Sequence, residues 1–297
     1  MSAIAAAAPR LFAESESPAV GEGGRALYLI GALTALVAAL MLAPLVLSFL
    51  ASIKTQADAS AVPPNYLPRA LSLEGYQHVL NFGAGLWTYV ANSLGVAALT
   101  IVLCLVLSVP AGFALARFPI PGKNLIFLTL LTPLMIPYQA LLTPLYLMFA
   151  KLGLANSLIG LALVHTILQI PFSVYLMRNA FEAVPRELEE AAVIDGCTTF
   201  ALFRRVFLPL VMPGMVTVAL FAFIASWNEF LAALIFMNKE TAFTVPVMLV
   251  SVRTGHLGAV DWGALQAGIM ISVLPCVLVY VFLQKYYVSG LLGGAVK

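Results

Sequence analysis

Charge is scarce in this chain. Lysine and arginine number 15, aspartate and glutamate 13, and together they make up 9% of 297 residues. So few charges cannot coat a soluble globule, and a net charge of +2 is too small to argue for nucleic acid as a partner. Cys104, Cys197 and Cys276 are too few and too scattered for a disulfide framework or a metal cluster. A phosphate-binding loop is also missing. Gly122-Lys123 is the only Gly-Lys pair, and it lacks the upstream glycine and the following Ser or Thr. No metal motif and no Ser–His–Asp arrangement with a polar cleft stands out, so the chain does not read as an enzyme and binds no cofactor of its own. If it moves a solute uphill, the energy comes from another chain or from an ion gradient.

Apolar residues fill the space that charge leaves, at 62% of the chain. A bilayer core takes about 20 helical residues to cross. Charge-free runs long enough for that predict six transmembrane helices near 27–50, 89–115, 125–149, 158–177, 213–236 and 265–284. The fold class is therefore all-α, a polytopic membrane protein with one transmembrane domain over 26–297. A β-barrel does not fit, because the runs lack alternation and are about twice a barrel strand's length. Residues 1–25, rich in Ala, Ser, Pro and Gly, read as a disordered tail and not as a cleaved leader. Residues 51–88 read as a capped outer loop. Orientation follows from the basic residues. With the N-terminus inside, the inner segments hold Arg10, Arg25, Arg117, Lys123, Arg178, Arg186, Arg204, Arg205, Lys285 and Lys297. The outer segments hold only Lys54, Arg69, Lys151, Lys239 and Arg253, so both termini are expected in the cytoplasm.

Between the fourth and fifth runs lies a polar segment, 178–212. Pro185 suits the first turn of a short helix, Glu187, Glu189 and Glu190 favour its N-terminal end, and Gly196 suits a left-handed cap. Leu188, Ala191, Ala192 and Asp195 recur at helical spacing and predict one flat face that another surface can approach closely. The stretch Glu190-Ala191-Ala192-Val193-Ile194-Asp195-Gly196, followed by Val206-Phe207-Leu208-Pro209, resembles the cytoplasmic "EAA loop" of ABC-importer permeases. Val206 stands where that pattern has isoleucine. Further matches are Asn92-Ser93-Leu94, Ala111 to Phe118, Met135-Ile136-Pro137, Leu152 to Asn156, Trp227-Asn228-Glu229-Phe230 and the terminal Gly294 to Lys297. They extend the resemblance to carbohydrate permeases of the maltose type over nearly the whole chain.

The resemblance implies a type I importer fold in the bacterial inner membrane. It also implies partners: a second permease subunit, two ATPase subunits that hold ATP and Mg, an extracytoplasmic solute-binding protein, and membrane lipid. By the same resemblance the loop docks on one ATPase, with Glu190 as polar anchor, Ala191 in close contact and Gly196 as the turn. An outer segment, Arg253, Thr254, Gly255, His256, Leu257 and Gly258, matches the loop that reaches into the binding protein.

Polar residues at membrane depth are candidates for the path. Glu229 reads either as a carboxylate satisfied by a neighbouring helix or as a path-lining group. His165, Gln169, Gln139 and Asn228 read either as interhelical hydrogen-bonding groups or as contacts for a hydroxyl-rich solute. A glycerol-3-phosphate or glycerophosphodiester permease is one alternative. An ion-coupled secondary transporter is another, although it leaves the EAA-like loop unexplained.

Overall fold

The structure is a computed structural model that describes residues 23–254 and 260–295. Among these residues it is helical, apart from turns and one isolated β-bridge between Lys54 and Leu71. Most of α1 (Gly23–Ser52) belongs to a separate unit ending at Leu47. Taken by itself, α1 is apolar around its whole circumference, as a helix in hydrocarbon should be.

In the second unit, α2 (Gln56–Ala59) and α3 (Glu74–Asn81) lead into the long α4 (Leu86–Arg117). Then come α5 (Lys123–Leu131), α6 (Tyr138–Lys151) and α7 (Leu158–Glu182). The polar segment folds as α8 (Arg186–Ile194), α9 (Thr199–Leu202), a π-helical turn at Phe203–Phe207, and α10 (Leu208–Leu210). The chain continues through α11 (Met212–Trp227), α12 (Leu231–Phe236), α13 (Val245–Thr254) and α14 (Trp262–Ala295).

Four described helices, α1, α4, α7 and α14, are long and apolar enough to cross a bilayer alone. The number reaches six if each of two bent helix pairs counts as one span. One bent pair corrects the helix expected at 125–149, because α5 and α6 meet at 99°. Pro133 and Pro137 supply the reason. Each lacks an N–H and clashes with the preceding turn, and Pro137 forces Ile136 into extended backbone (ψ 130°). The other bent pair is Thr199–Leu210 with Met212–Trp227, at 70°; separately, the helix expected at 213–236 is interrupted at 228–230, where no proline stands. By contrast, Pro110, Pro171 and Pro275 lie inside unbroken helices.

The centre of the unit is the crossing of α4 on α7. A Cβ on Gly112 would lie 2.7 Å from the Cβ of Met177 and 2.8 Å from the backbone nitrogen of Arg178. The two backbones therefore touch, as small residues permit where helices pack in lipid. Gly112 belongs to the Ala111–Phe118 stretch quoted above.

At the end of the bundle remote from α8, polar side chains read main chain. The amide of Asn92 donates to Thr241 O at 2.8 Å and Phe243 O at 2.9 Å, and Val245 N donates to Ser93 Oγ at 2.8 Å. Asn156, held at φ 54°, accepts from Asn238 N at 3.0 Å and Lys239 N at 3.1 Å. The Asn-Ser and Leu-Gly-Leu-Ala-Asn motifs thus clamp one loop, 237–245. In the 51–88 segment, Asp58 accepts from Arg69 N at 3.0 Å and Asn65 Nδ2 at 3.1 Å. The bond from Arg69 N does most to hold the Asp58 carboxyl below its ordinary value of 3.8. Asp261 caps α14 through Ala264 N at 2.9 Å and meets His78 Nδ1 at 2.6 Å.

Candidate functional site

Two regions gather the candidate residues. The first is the polar loop. Pro185, expected in the first turn, instead precedes α8 by one residue, with ψ 140°. Gly196 takes φ 77°, its N–H donates to Val193 O, and Cys197 N donates to Ala192 O, both at 3.0 Å. That is a Schellman cap, and only glycine enters the left-handed region without strain.

The face expected to be continuous divides in two. Leu188, Glu190, Ala191, Asp195 and Gly196 are exposed, whereas Ala192 is 8% exposed and packs inward beside Phe113, Phe181 and Leu202. Ala192 therefore seats the helix and does not present it. Apolar groups stand open to the surroundings, with Ile194 85% exposed, Phe200 70% and Val193 57%. Arg204 and Arg205 are exposed on the π turn.

An aromatic hub anchors this loop to the bundle. The ring of Phe113 on α4 lies within 5.0–5.4 Å (centroid to centroid) of Phe118, Phe181, Phe203 and Phe207. Arg117 ends α4 with its side chain only 6% exposed. It donates to the main-chain oxygens of Phe181 and Val184, pairs with Glu189 Oε2 at 3.2 Å, and lies 4.8 Å over the Phe207 ring. One guanidinium thereby holds the end of α7, the start of α8 and the π turn to α4. Sequence reasoning used Arg117 for orientation and as part of the Ala111–Phe118 match, and gave it no task of its own. Its acceptors lie 64 to 72 positions away, and no local pattern announces them.

The second region is a cavity of about 480 Å³, mostly apolar in surface, whose wall carries the polar side chains of Thr100, Tyr138, His165, Gln169, Ser226, Asn228 and Glu229. The structure brings four of the five path candidates together there. Gln139 instead is exposed along a neighbouring, almost wholly apolar groove of about 870 Å³ between the bent pair and α7. Tyr138, Thr100 and Ser226 were missed, although Tyr138 follows directly on the Met-Ile-Pro motif. Glu229 occupies the break between α11 and α12. Its Oε1 accepts from Ala232 N at 3.0 Å and its Oε2 from Ala233 N at 3.1 Å. His165, 4% exposed, places Nε2 3.6 Å from that Oε2 and Nδ1 2.8 Å from Ser226 Oγ. Trp227 donates to Ser272 O at 3.0 Å, which ties α11 to α14.

Of the expected outer contact segment, Arg253 is exposed at the end of α13 and Thr254 is that helix's last residue. Gly255, His256, Leu257 and Gly258 lie outside the described residues. No cluster of His, Cys, Asp and Glu able to hold a metal occurs among the described residues.

Residues 108–292 match the family model of binding-protein-dependent transport system inner membrane components. The chain belongs to that family. Among the relatives of this permease is a probable ABC transporter permease of Bacillus subtilis, 39% identical over 230 residues, 76% of each chain. The diacetylchitobiose uptake system permease of Streptomyces coelicolor is 33% identical over 86% of the permease and 91% of the relative. The arabinooligosaccharides transport system permease of Halalkalibacterium halodurans is 32% identical over 89% and 94%. A solved bacterial ABC transporter that imports the acidic polysaccharide alginate has a chain that superposes with TM-score 0.75 at 25% identity, over 91% of the permease and all of that chain. A methionine ABC transporter solved in inward-facing conformations shares the fold at TM-score 0.56 and 18% identity.

Proposed function

We propose that the chain forms half of the translocation path of an ATP-driven, binding-protein-dependent importer, and that its cargo is a neutral sugar or oligosaccharide. The observation that carries the reading is the pairing of two sites in one compact unit. One is a loop that shows Glu190, Ala191, Asp195, Ile194 and Phe200 outward. The other is a cavity whose wall carries amides, hydroxyls and a phenol beside the His165 ring and the Glu229 carboxylate. Neutral donors and acceptors suit a hydroxyl-rich solute, and relatives that take up diacetylchitobiose and arabinooligosaccharides support that choice. The cavity walls carry no Lys or Arg, which disfavours glycerol-3-phosphate and glycerophosphodiesters.

In this reading the loop end faces the cytoplasm and both termini lie there. A separate ATPase carries ATP and Mg. The ATPase pair pushes on α8, and the Phe113 hub together with Arg117 transmits the push to α4 and α7. A second permease supplies the other half of the path. Arg253 to Gly258 face the binding protein on the outside. Gln139 lies at the edge of the path, beside the bent pair.

The test is reconstitution in proteoliposomes with the partner permease, the ATPase and the binding protein, followed by uptake of a panel of labelled oligosaccharides. ATP-dependent uptake of a neutral sugar is expected, and the lone chain should show no ATPase activity. Uptake by the lone chain under a sodium or proton gradient would overturn the reading. Cysteines placed at Ser60 and Thr199 check orientation: the first should react with an impermeant maleimide in intact cells, the second only after permeabilisation.

A further inference from the structure

We infer that Glu229 and His165 are positioning residues that fix the break in the fifth span. The groups left to meet solute are then the phenol of Tyr138 and the amides of Gln169 and Asn228. This rests on the importer reading above and adds a division of labour inside its path.

The argument starts from the break itself. No proline lies between α11 and α12, yet the helix stops at Trp227 and restarts at Leu231. A restarted helix exposes backbone N–H groups that have no partner within it, and in a membrane such groups need one. Glu229 takes two of them, one on each oxygen, from Ala232 and Ala233. A carboxylate at that place also meets the positive end of the new helix. The other side of the carboxylate faces His165 on α7, whose second nitrogen reaches Ser226 on the last turn of α11. Nε2 stands 3.6 Å from the carboxylate, beyond hydrogen-bond reach but packed against it, and Nδ1 shares a 2.8 Å hydrogen bond with the Ser226 hydroxyl. The chain of contacts therefore runs from α11 through α7 to α12 and fixes both halves of the broken span against one neighbour.

This arrangement leaves little of the pair for cargo. Both carboxylate oxygens accept main-chain bonds, and the ring is 4% exposed. Asn228 and Tyr138 are exposed and Gln169 is half-buried on the same cavity wall. Removing the pair should therefore slow cycling for every solute alike, whereas changing Tyr138, Gln169 or Asn228 should alter which solute is carried.

The experiment uses the full complex with binding protein, with Cys104, Cys197 and Cys276 replaced by serine and Ala225, on the cavity wall, by cysteine. The probe is the rate of fluorescein-maleimide labelling with and without ATP, Mg and vanadate. The parent should show a nucleotide-dependent change in rate. In Glu229→Ala, which removes two charge-assisted bonds to main chain, and in His165→Ala, which removes the ring that seats the carboxylate, that change should shrink about tenfold or more. The double variant should lose no more than either single one, because the two side chains form one device. Glu229→Gln, which keeps one acceptor, should fall between. Maximal uptake should drop while the half-saturating concentration of loaded binding protein stays put.

A parent-like response in Glu229→Ala, or additive losses in the double variant, overturns the inference. If Glu229→Ala fails to assemble, Glu229→Gln and His165→Ala decide by the same criteria. A parent without any nucleotide response sinks the ATP-driven reading together with this inference. A normal response without carriage of any sugar sinks only the carbohydrate assignment.

Discussion

Replacing Arg117 by alanine should release the polar loop from the bundle without unfolding the spans. The guanidinium makes two bonds to main-chain oxygens at the end of α7, and each bond of this charge-assisted kind contributes about 1.5–3 kcal/mol. The Glu189 carboxylate is 30% exposed, so that ion pair is partly screened and adds at most about 1 kcal/mol. Freed carbonyls at a helix end can take water, which favours the low end of the range. A net loss of about 3–4 kcal/mol follows, equivalent to a roughly 100- to 1000-fold shift from docked toward undocked loop.

Hydrogen exchange of the amides in 186–208, measured in the assembled complex, reads that shift directly, and coupled uptake reads its consequence. Arg117→Met keeps an apolar stem over Phe207 and separates packing from charge. Arg117→Lys offers a point charge where a fork is needed and should recover only part of the protection. Unchanged exchange and unchanged uptake in Arg117→Ala would refute the clamp.

Three more outcomes are expected. Gly196→Val should weaken ATPase association and uptake while leaving insertion intact. The site has open space around it, so the penalty is the left-handed backbone alone, about 1–2 kcal/mol, and normal association would refute the cap. Gly112→Val should lower the melting temperature of the purified complex, because the new side chain meets the backbone of Arg178; overpacking of this kind costs about 1–3 kcal/mol, and an unchanged melting curve would count against the crossing. The Asp58 carboxyl is held below its ordinary value in the fold, so its contribution is fully present above 3.8 and is lost as pH falls through the lower folded value. Limited proteolysis within 51–72 should therefore accelerate only in strong acid, and Asp58→Asn should accelerate it at neutral pH.

What could be read in the sequence depended on how local the cause was. The Gly196 cap needs only neighbours within a few residues, so it is visible in the order Glu-Ala-Ala-Val-Ile-Asp-Gly. The six apolar runs are visible because a bilayer imposes a length. The bend at 132–137 was less so: its prolines are plain, but a proline inside an apolar run fits a mild kink as well as a 99° turn. The break at 228–230 rests on Glu229 reaching Ala232 and Ala233, which spacing alone does not separate from a path-lining carboxylate. Ala192 pointed inward because Leu202 and Phe181 claim it, and both lie beyond the helix that contains it. Arg117, Tyr138 and Ser226 acquire their roles only when distant segments meet. The Asn-Ser and Leu-Gly-Leu-Ala-Asn motifs were matched by resemblance first and given a physical task afterwards.

The greasy groups on the loop have a consequence for the cell's handling of this chain. Val193, Ile194 and Phe200 stand uncovered on a polar segment, where water and not lipid is the default neighbour. On the importer reading proposed above, a subunit without its ATPase displays there the kind of surface that chaperones and proteases recognise. Orphan copies would be cleared faster than assembled ones, and the supply of partner would set how much of this chain survives. Stoichiometry of the assembly would then be enforced after synthesis, by a handful of uncovered side chains.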